Sequence, residues 1–141
     1  MMMTNPQSAD GIRSFVGTAT RDSAGKPMRI DVSTASGATV VRPSGDRLDI
    51  EVAADFRAML LSLIEQGHRR LVVDLADVAF IDSSGLGALV SALKTLKRSD
   101  SGGDVRLARV QAPVVSLLEI IRLNRVFTTY PTVEQAVQSY Q

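Results

Sequence analysis

Residues Leu71 to Gly87 read LVVDLADVAFIDSSGLG. The first five, Leu71-Val72-Val73-Asp74-Leu75, form a short, almost wholly apolar run, the signature of a strand covered on both faces. The apolar approach Val78-Ala79-Phe80-Ile81 then gives way to Asp82-Ser83-Ser84-Gly85. After it Leu86, Leu89, Val90 and Leu93 recur at helical spacing, with Ser91, Lys94, Lys97 and Arg98 on the other side. A buried strand, a polar turn and an amphipathic helix in that order predict an α/β fold with this strand at the centre of its sheet.

Working outward strengthens the reading. Downstream, Ser99 to Gly103 breaks the chain, Asp104 to Val110 reads as a strand, and Pro113 opens a helix carrying Val114, Leu117, Leu118 and Ile121. Val126 to Thr129 is a brief β-branched run. Thr132 with Gln135 resembles a capping box ahead of a last helix with the stripe Val133, Ala136, Val137 and Tyr140. Upstream, Val52, Phe56, Met59, Leu60, Leu63 and Ile64 predict a helix from Ile50 to Gln66, stopped by Gly67. Arg29 to Thr34 and Thr39 to Arg42, joined across Ala35-Ser36-Gly37, predict a hairpin. Residues 1–27 show no period and are expected to form a flexible N-terminal tail, within which Arg13 to Thr20 has the composition of a short strand. The expected architecture is one domain over residues 28–141, a mixed four- to five-stranded sheet with about four helices packed on it.

The chain has 141 residues, 45% hydrophobic and 22% charged, and a chain of that length buries a core without a metal or disulfide staple. It has no cysteine, which excludes disulfide frameworks, thiolate metal sites and cysteine nucleophiles and makes a reducing cytoplasm the simplest compartment. Lys+Arg 16 against Asp+Glu 15 leaves a formal charge of +1, too weak a field to favour direct nucleic-acid binding. No apolar run approaches the roughly 20 residues of a membrane span, and no membrane association, metal or cofactor is expected. The single His68 sits just before a strand in the basic run His68-Arg69-Arg70, and no Gly-x-Ser-x-Gly elbow surrounds either serine of the Asp82 turn, so catalysis is not expected.

Asp82-Ser83-Ser84-Gly85 stands where the first N–H groups of a helix have no intrahelical partner. Capping is the ordinary explanation, with Ser84 the expected cap and Ser83 the more accessible hydroxyl, though the adjacent Ser84 hydroxyl is the other candidate phosphate acceptor. The alternative is a regulatory phosphoacceptor. Phosphate on Ser83 would add about −1.5 to −2 charge where the helix end tolerates an anion, while Asp82 beside it repels, so the effect would fall on a partner rather than on the fold.

The segment 71–87 resembles the signature of the STAS domain family of bacterial anti-sigma factor antagonists. Gly45 with Leu48-Asp49, then Ala112-Pro113 through Leu118, Leu123, Phe127, Tyr130-Pro131 and Glu134-Gln135-Ala136 extend the resemblance over about Met28 to Gln141. The turn Gly45-Asp46-Arg47-Leu48-Asp49 is one residue longer than the family's usual one. The resemblance implies a partner switch without catalytic turnover. Phosphorylation would fall on Ser83, and partner contacts on Asp49, Asp82, Ser84, Gly85, Leu86 and Gly87. The implied partners are a GHKL-type serine kinase that doubles as the anti-sigma factor and a PP2C-type phosphatase. A constitutive STAS scaffold without a phosphate cycle is the alternative.

Two further features stay open at this level. Val114, Val115, Leu117, Leu118, Ile120 and Ile121 are apolar around more of their helix than one core-facing stripe requires, which fits either a partner surface or burial under the N-terminal segment. Arg122 and Arg125 suit the end of a helix without any ligand.

Overall fold

The computed structural model describes residues 12–15, 29–98 and 102–141. A six-stranded sheet runs in the order β1 (Ile12–Phe15), β2 (Ile30–Ala35), β3 (Ala38–Pro43), β5 (Arg70–Asp74), β7 (Asp104–Ala108), β8 (Thr129–Tyr130). The first three strands are antiparallel neighbours; β3, β5, β7 and β8 are parallel. The sheet is therefore mixed, and five of its strands come from residues 30–130, as expected. The sixth, β1, lies within the expected tail and overlaps the RSFVGTAT segment; the rest of residues 1–28 lies outside the described residues.

A separate two-stranded parallel ribbon pairs β4 (Arg47–Leu48) with β6 (Phe80–Ile81). Among the described residues four α-helices pack with these strands: α1 (Ile50–Glu65), α2 (Ser83–Arg98), α3 (Ala112–Ile120) and α4 (Val133–Gln138). Residues of α1, α2 and α3 share one core with Leu71 and Val73, whereas Ala136 and Val137 of α4 pack on Val72 from the opposite face. The alternation in Leu71-Val72-Val73 is thus covered on both sides, and all three side chains are fully buried.

Local chemistry sets the element ends. Ser36 and Gly37 have φ of 50° and 84°, the pair of left-handed residues that a two-residue hairpin turn requires. Gly67 at φ 105° closes α1, with its N–H and that of His68 reaching back to Ile64 and Leu63. Thr132 caps α4 by accepting from the Gln135 N–H at 3.0 Å. Two strand ends differ from expectation. β7 stops at Ala108 because Arg109 turns into the left-handed region, φ 55°, and clamps the buried Asp74 with Nε at 3.0 Å and Nη2 at 2.6 Å. The run Val126 to Thr129 yields a strand only at Thr129–Tyr130: a 3-10 turn (Leu123–Arg125) precedes it and Phe127 turns into the core.

The C-terminus is tied to the sheet by Tyr140. Its hydroxyl, at 2.8 and 2.7 Å from the Leu71 and Asp104 carbonyls, donates to that pair, and Arg106 stacks on its ring at 4.0 Å. Burial raises the phenol above its ordinary value of 10.0. In the unfolded chain the group ionises near pH 10, while in the fold it holds its proton, so this contribution is intact below that pH and is lost as pH rises above it. Tyr140→Phe is expected to cost about 1–2 kcal/mol by urea melting at pH 7. The same variant should remove the part of the stability loss above pH 10 that is due to this phenol, which the comparison of the two chains at alkaline pH checks.

Candidate functional site

The ribbon positions the site. Parallel pairing sets Leu48 beside Ile81, so the residues that follow each strand, Asp49 and Asp82, sit side by side as the entries to α1 and α2. Asp49 caps α1: Oδ1 accepts from the Glu51 N–H at 3.1 Å, while Oδ2 takes the Arg47 guanidinium at 3.2 Å. Asp82 caps α2 and also reaches across. Its Oδ1 accepts from the Ser84 and Gly85 N–H groups at 2.9 and 3.0 Å, and its Oδ2 from the Ile50 N–H at 3.1 Å, the first residue of α1. One carboxylate therefore serves two helix N-termini.

This corrects the expectation for Ser84. Its backbone is already helical and it donates to the cap, which is Asp82; a carboxylate accepts two charge-assisted bonds here where a hydroxyl would satisfy one. Ser83 is the first residue of α2 and is exposed, and its hydroxyl has no hydrogen-bond partner among the described residues. Two of the free N–H groups of this helix end are already taken by Asp82. A phosphate on Ser83 would find few internal donors and two neighbouring carboxylates, so the fold gives it little to bind and presents it outward.

The two glycines play different parts. A Cβ on Gly85 would lie 2.2 Å from the Leu48 carbonyl oxygen and 2.8 Å from Ile81 Cγ1, so Gly85 lets α2 close onto the ribbon of its own chain. Gly85 and Leu86 face inward and shape the site through the backbone. Gly87 is exposed, and a Cβ added there would meet no atom within 4 Å. It opens a shallow groove of about 350 Å3 between α1 and α2, whose walls include Ile50, Ala54, Ser84, Gly87 and Ser91.

Sequence reasoning missed three of these surface residues. Ile50 is 74% exposed at the mouth of the groove, Phe80 is 41% exposed, and Arg47 lies over the Phe80 ring at 4.1 Å. Ile50 had a legible signal, since it falls off the buried stripe Val52, Phe56, Leu60, Leu63. The pairing of Arg47 with Phe80 had none, because the ribbon that joins them spans more than thirty positions of sequence.

His68, the one imidazole, bonds Thr39 Oγ1 through Nδ1 at 2.7 Å and precedes β5, whereas Ser83 follows the other end of that strand. The imidazole therefore belongs to the opposite end of β5 from the serine, whose sequence neighbour Asp82 is engaged as a helix cap. Among the described residues no cluster of three or more metal-ligating side chains occurs, and no helix is long and apolar enough to cross a membrane.

Comparison with known proteins agrees with this geometry. Residues 29–136 match the STAS domain family. Over 111 residues, spanning 79% of this chain and 98% of the relative, the chain is 30% identical to the anti-sigma-B factor antagonist of Bacillus subtilis (strain 168). An anti-sigma-factor antagonist (STAS) domain protein from Planctomyces limnophilus superposes with a TM-score of 0.65 at 29% identity, over 79% of this chain and 97% of that one. The Bacillus cell fate determinant SpoIIAA in its phosphorylated form shares the fold with a TM-score of 0.58 at 18% identity, over 92% of this chain and 99% of that one. With a family match over residues 29–136, a shared mixed-sheet fold and relatives named for antagonism of anti-sigma factors, the chain belongs to the STAS domain family.

Proposed function

We propose that this chain is an anti-sigma factor antagonist that works as a phosphorylation-controlled partner switch. Unphosphorylated, it binds a GHKL-type serine kinase that serves as the anti-sigma factor and so releases the kinase's other client. Phosphorylation of Ser83 by that kinase breaks the complex, and a PP2C-type phosphatase restores it. The chain is substrate and ligand rather than enzyme, and works in the cytoplasm; ATP and magnesium belong to the kinase.

One observation carries the reading: Ser83 is exposed at the first position of α2 with an unengaged hydroxyl, while Asp82 occupies the neighbouring helix-end donors. A kinase can reach the hydroxyl without unfolding the helix, and the added charge lands on the rim of the α1–α2 groove. Asp82, Ser84 and Gly87 would form the docking surface around it, with Asp49 holding the mouth of α1 in place and Gly85 and Leu86 setting the backbone. The name of the Bacillus subtilis relative supports the antagonist role, and the phosphorylated form of SpoIIAA supports a phosphate cycle on this fold.

Phosphopeptide mass spectrometry on the chain recovered from its own cells, growing and stressed, tests the proposal, with Ser83→Ala as control. The expected result is phosphate on Ser83 with an occupancy that changes between conditions. Phosphate in neither condition would leave a constitutive STAS scaffold.

A further inference from the structure

The end of α3 presents a second surface that the Ser83 site does not use. Ile120 is 77% exposed, Ile121 42% and Val126 46%, so three of the five exposed large hydrophobic side chains among the described residues fall within seven positions of chain. They are held on a firm base. Leu118 and Phe127 in the same stretch are almost fully buried, the Ile121 and Arg122 N–H groups donate to the Leu117 and Glu119 carbonyls of α3 at 3.1 and 3.2 Å, and the Val126 and Phe127 N–H groups donate to the Leu123 carbonyl at 3.0 and 2.9 Å, closing the turn. Arg122 and Arg125 are exposed within the same turn, and neither forms an ion pair among the described residues. Glu119 supplies one negative charge against their two. Arg122 also sits at φ 65°, a conformation that glycine would adopt more easily, so the arginine there is kept at a conformational cost.

Exposed apolar side chains on a hydrogen-bonded turn, flanked by guanidinium groups without an ion-pair partner among the described residues, have the make-up of a recognition surface: exposed apolar patches mark interaction sites, and arginine is enriched in interfaces. We propose that this turn docks an acidic segment of another protein, one whose apolar ridge covers Ile120, Ile121 and Val126 while its carboxylates pair with Arg122 and Arg125. The charges decide between occupants. A second copy related by a two-fold axis would set the arginines of one turn against those of the other. The chain's own residues 1–28 carry Asp10 and Asp22 against Arg13, Arg21 and Lys26, the wrong sign for this turn. An anionic lipid surface would accept the same charges, but three aliphatic side chains and two arginines on one short turn fall short of the extended apolar face or polybasic cluster that holds a protein on a membrane.

Site-specific photo-crosslinking tests the proposal in cells that make the full chain with a photoreactive phenylalanine analogue in place of Ile120, with the adduct peptide sequenced. The expected adduct is a segment of a different protein with more Asp and Glu than Lys and Arg. Its yield should fall by about tenfold or more in the Arg122→Glu, Arg125→Glu double variant, as expected for reversing charges that face a complementary partner. Both substitutions are at exposed positions, and an unchanged melting curve verifies that the fold survives. Adducts to this chain itself, to lipid, or to a neutral or basic segment would overturn the proposal, as would the absence of any adduct or a yield indifferent to the charge reversal.

Discussion

Ser83→Asp is expected to weaken the complex with the kinase by roughly 30-fold to several thousand-fold, the equivalent of about 2–5 kcal/mol, while Ser83→Ala binds as tightly as the unmodified chain. The magnitude follows from where the charge goes. An unpaired carboxylate carried into a desolvated interface loses its water and gains no partner, and here Asp82 adds repulsion rather than relief. The fold should be indifferent. Ser83 is exposed at the first turn of α2, where an acid interacts favourably with the helix end by about 0.3–1 kcal/mol. Titration calorimetry against the kinase, recovered with Ser83→Ala as bait, gives the affinities, and a thermal melt of each variant checks the fold. Equal affinities for the two variants would sink the switch and leave a constitutive scaffold.

The second large effect separates two glycines that look alike in sequence. Gly85→Ala is expected to destabilise the chain by about 3 kcal/mol, lowering Tm by roughly 10 °C. The new methyl would collide with the Leu48 carbonyl at 2.2 Å, and that carbonyl cannot withdraw freely because it accepts from the Asp82 N–H at 3.2 Å. Any retreat of α2 would loosen the carboxylate that caps both helices. Gly87→Ala should do the reverse. Its methyl meets nothing, and alanine is favoured over glycine in a helix by about 1 kcal/mol, so Tm should hold or rise. The same methyl partly fills the groove beside Ile50 and Ser84, so kinase binding should fall by about tenfold or more. Differential scanning calorimetry and the same binding titration distinguish the two. A stable Gly85→Ala chain would mean the ribbon can yield, and full binding by Gly87→Ala would remove the groove from the interface.

Much of this architecture is legible in the residues because it rests on local chemistry. The apolar run at Leu71, the helical spacing after Gly85, the turn at Ser36-Gly37 and the cap at Thr132 each state their structure within a few positions. The differences are of one kind. Residue type suits Ser84 to the cap of α2, but Asp82 precedes it by two residues and its carboxylate satisfies more donors. The apolar pattern carries a strand on to Val110, yet β7 ends at Ala108, because the clamp of Arg109 on Asp74 joins residues 35 apart in sequence. Val126 has the β-branched type of a strand residue, but the burial of Phe127 fixes that turn and leaves Val126 outside.

What the sequence determined by itself was the order of the four helices and of the five main-sheet strands after residue 28, the two-sided burial of the central strand and the position of Ser83 at a helix start, since periodicity and capping preferences act over one or two turns; the ribbon of β4 and β6 was not legible there. Tertiary structure alone decided that Asp49 and Asp82 stand together, that one carboxylate caps two helices, that Gly85 is closed while Gly87 is open, and that Ile120, Ile121 and Val126 remain uncovered. Each of these depends on which distant backbone comes within a few ångströms, and such approaches are fixed only when the sheet and its helices pack as a whole.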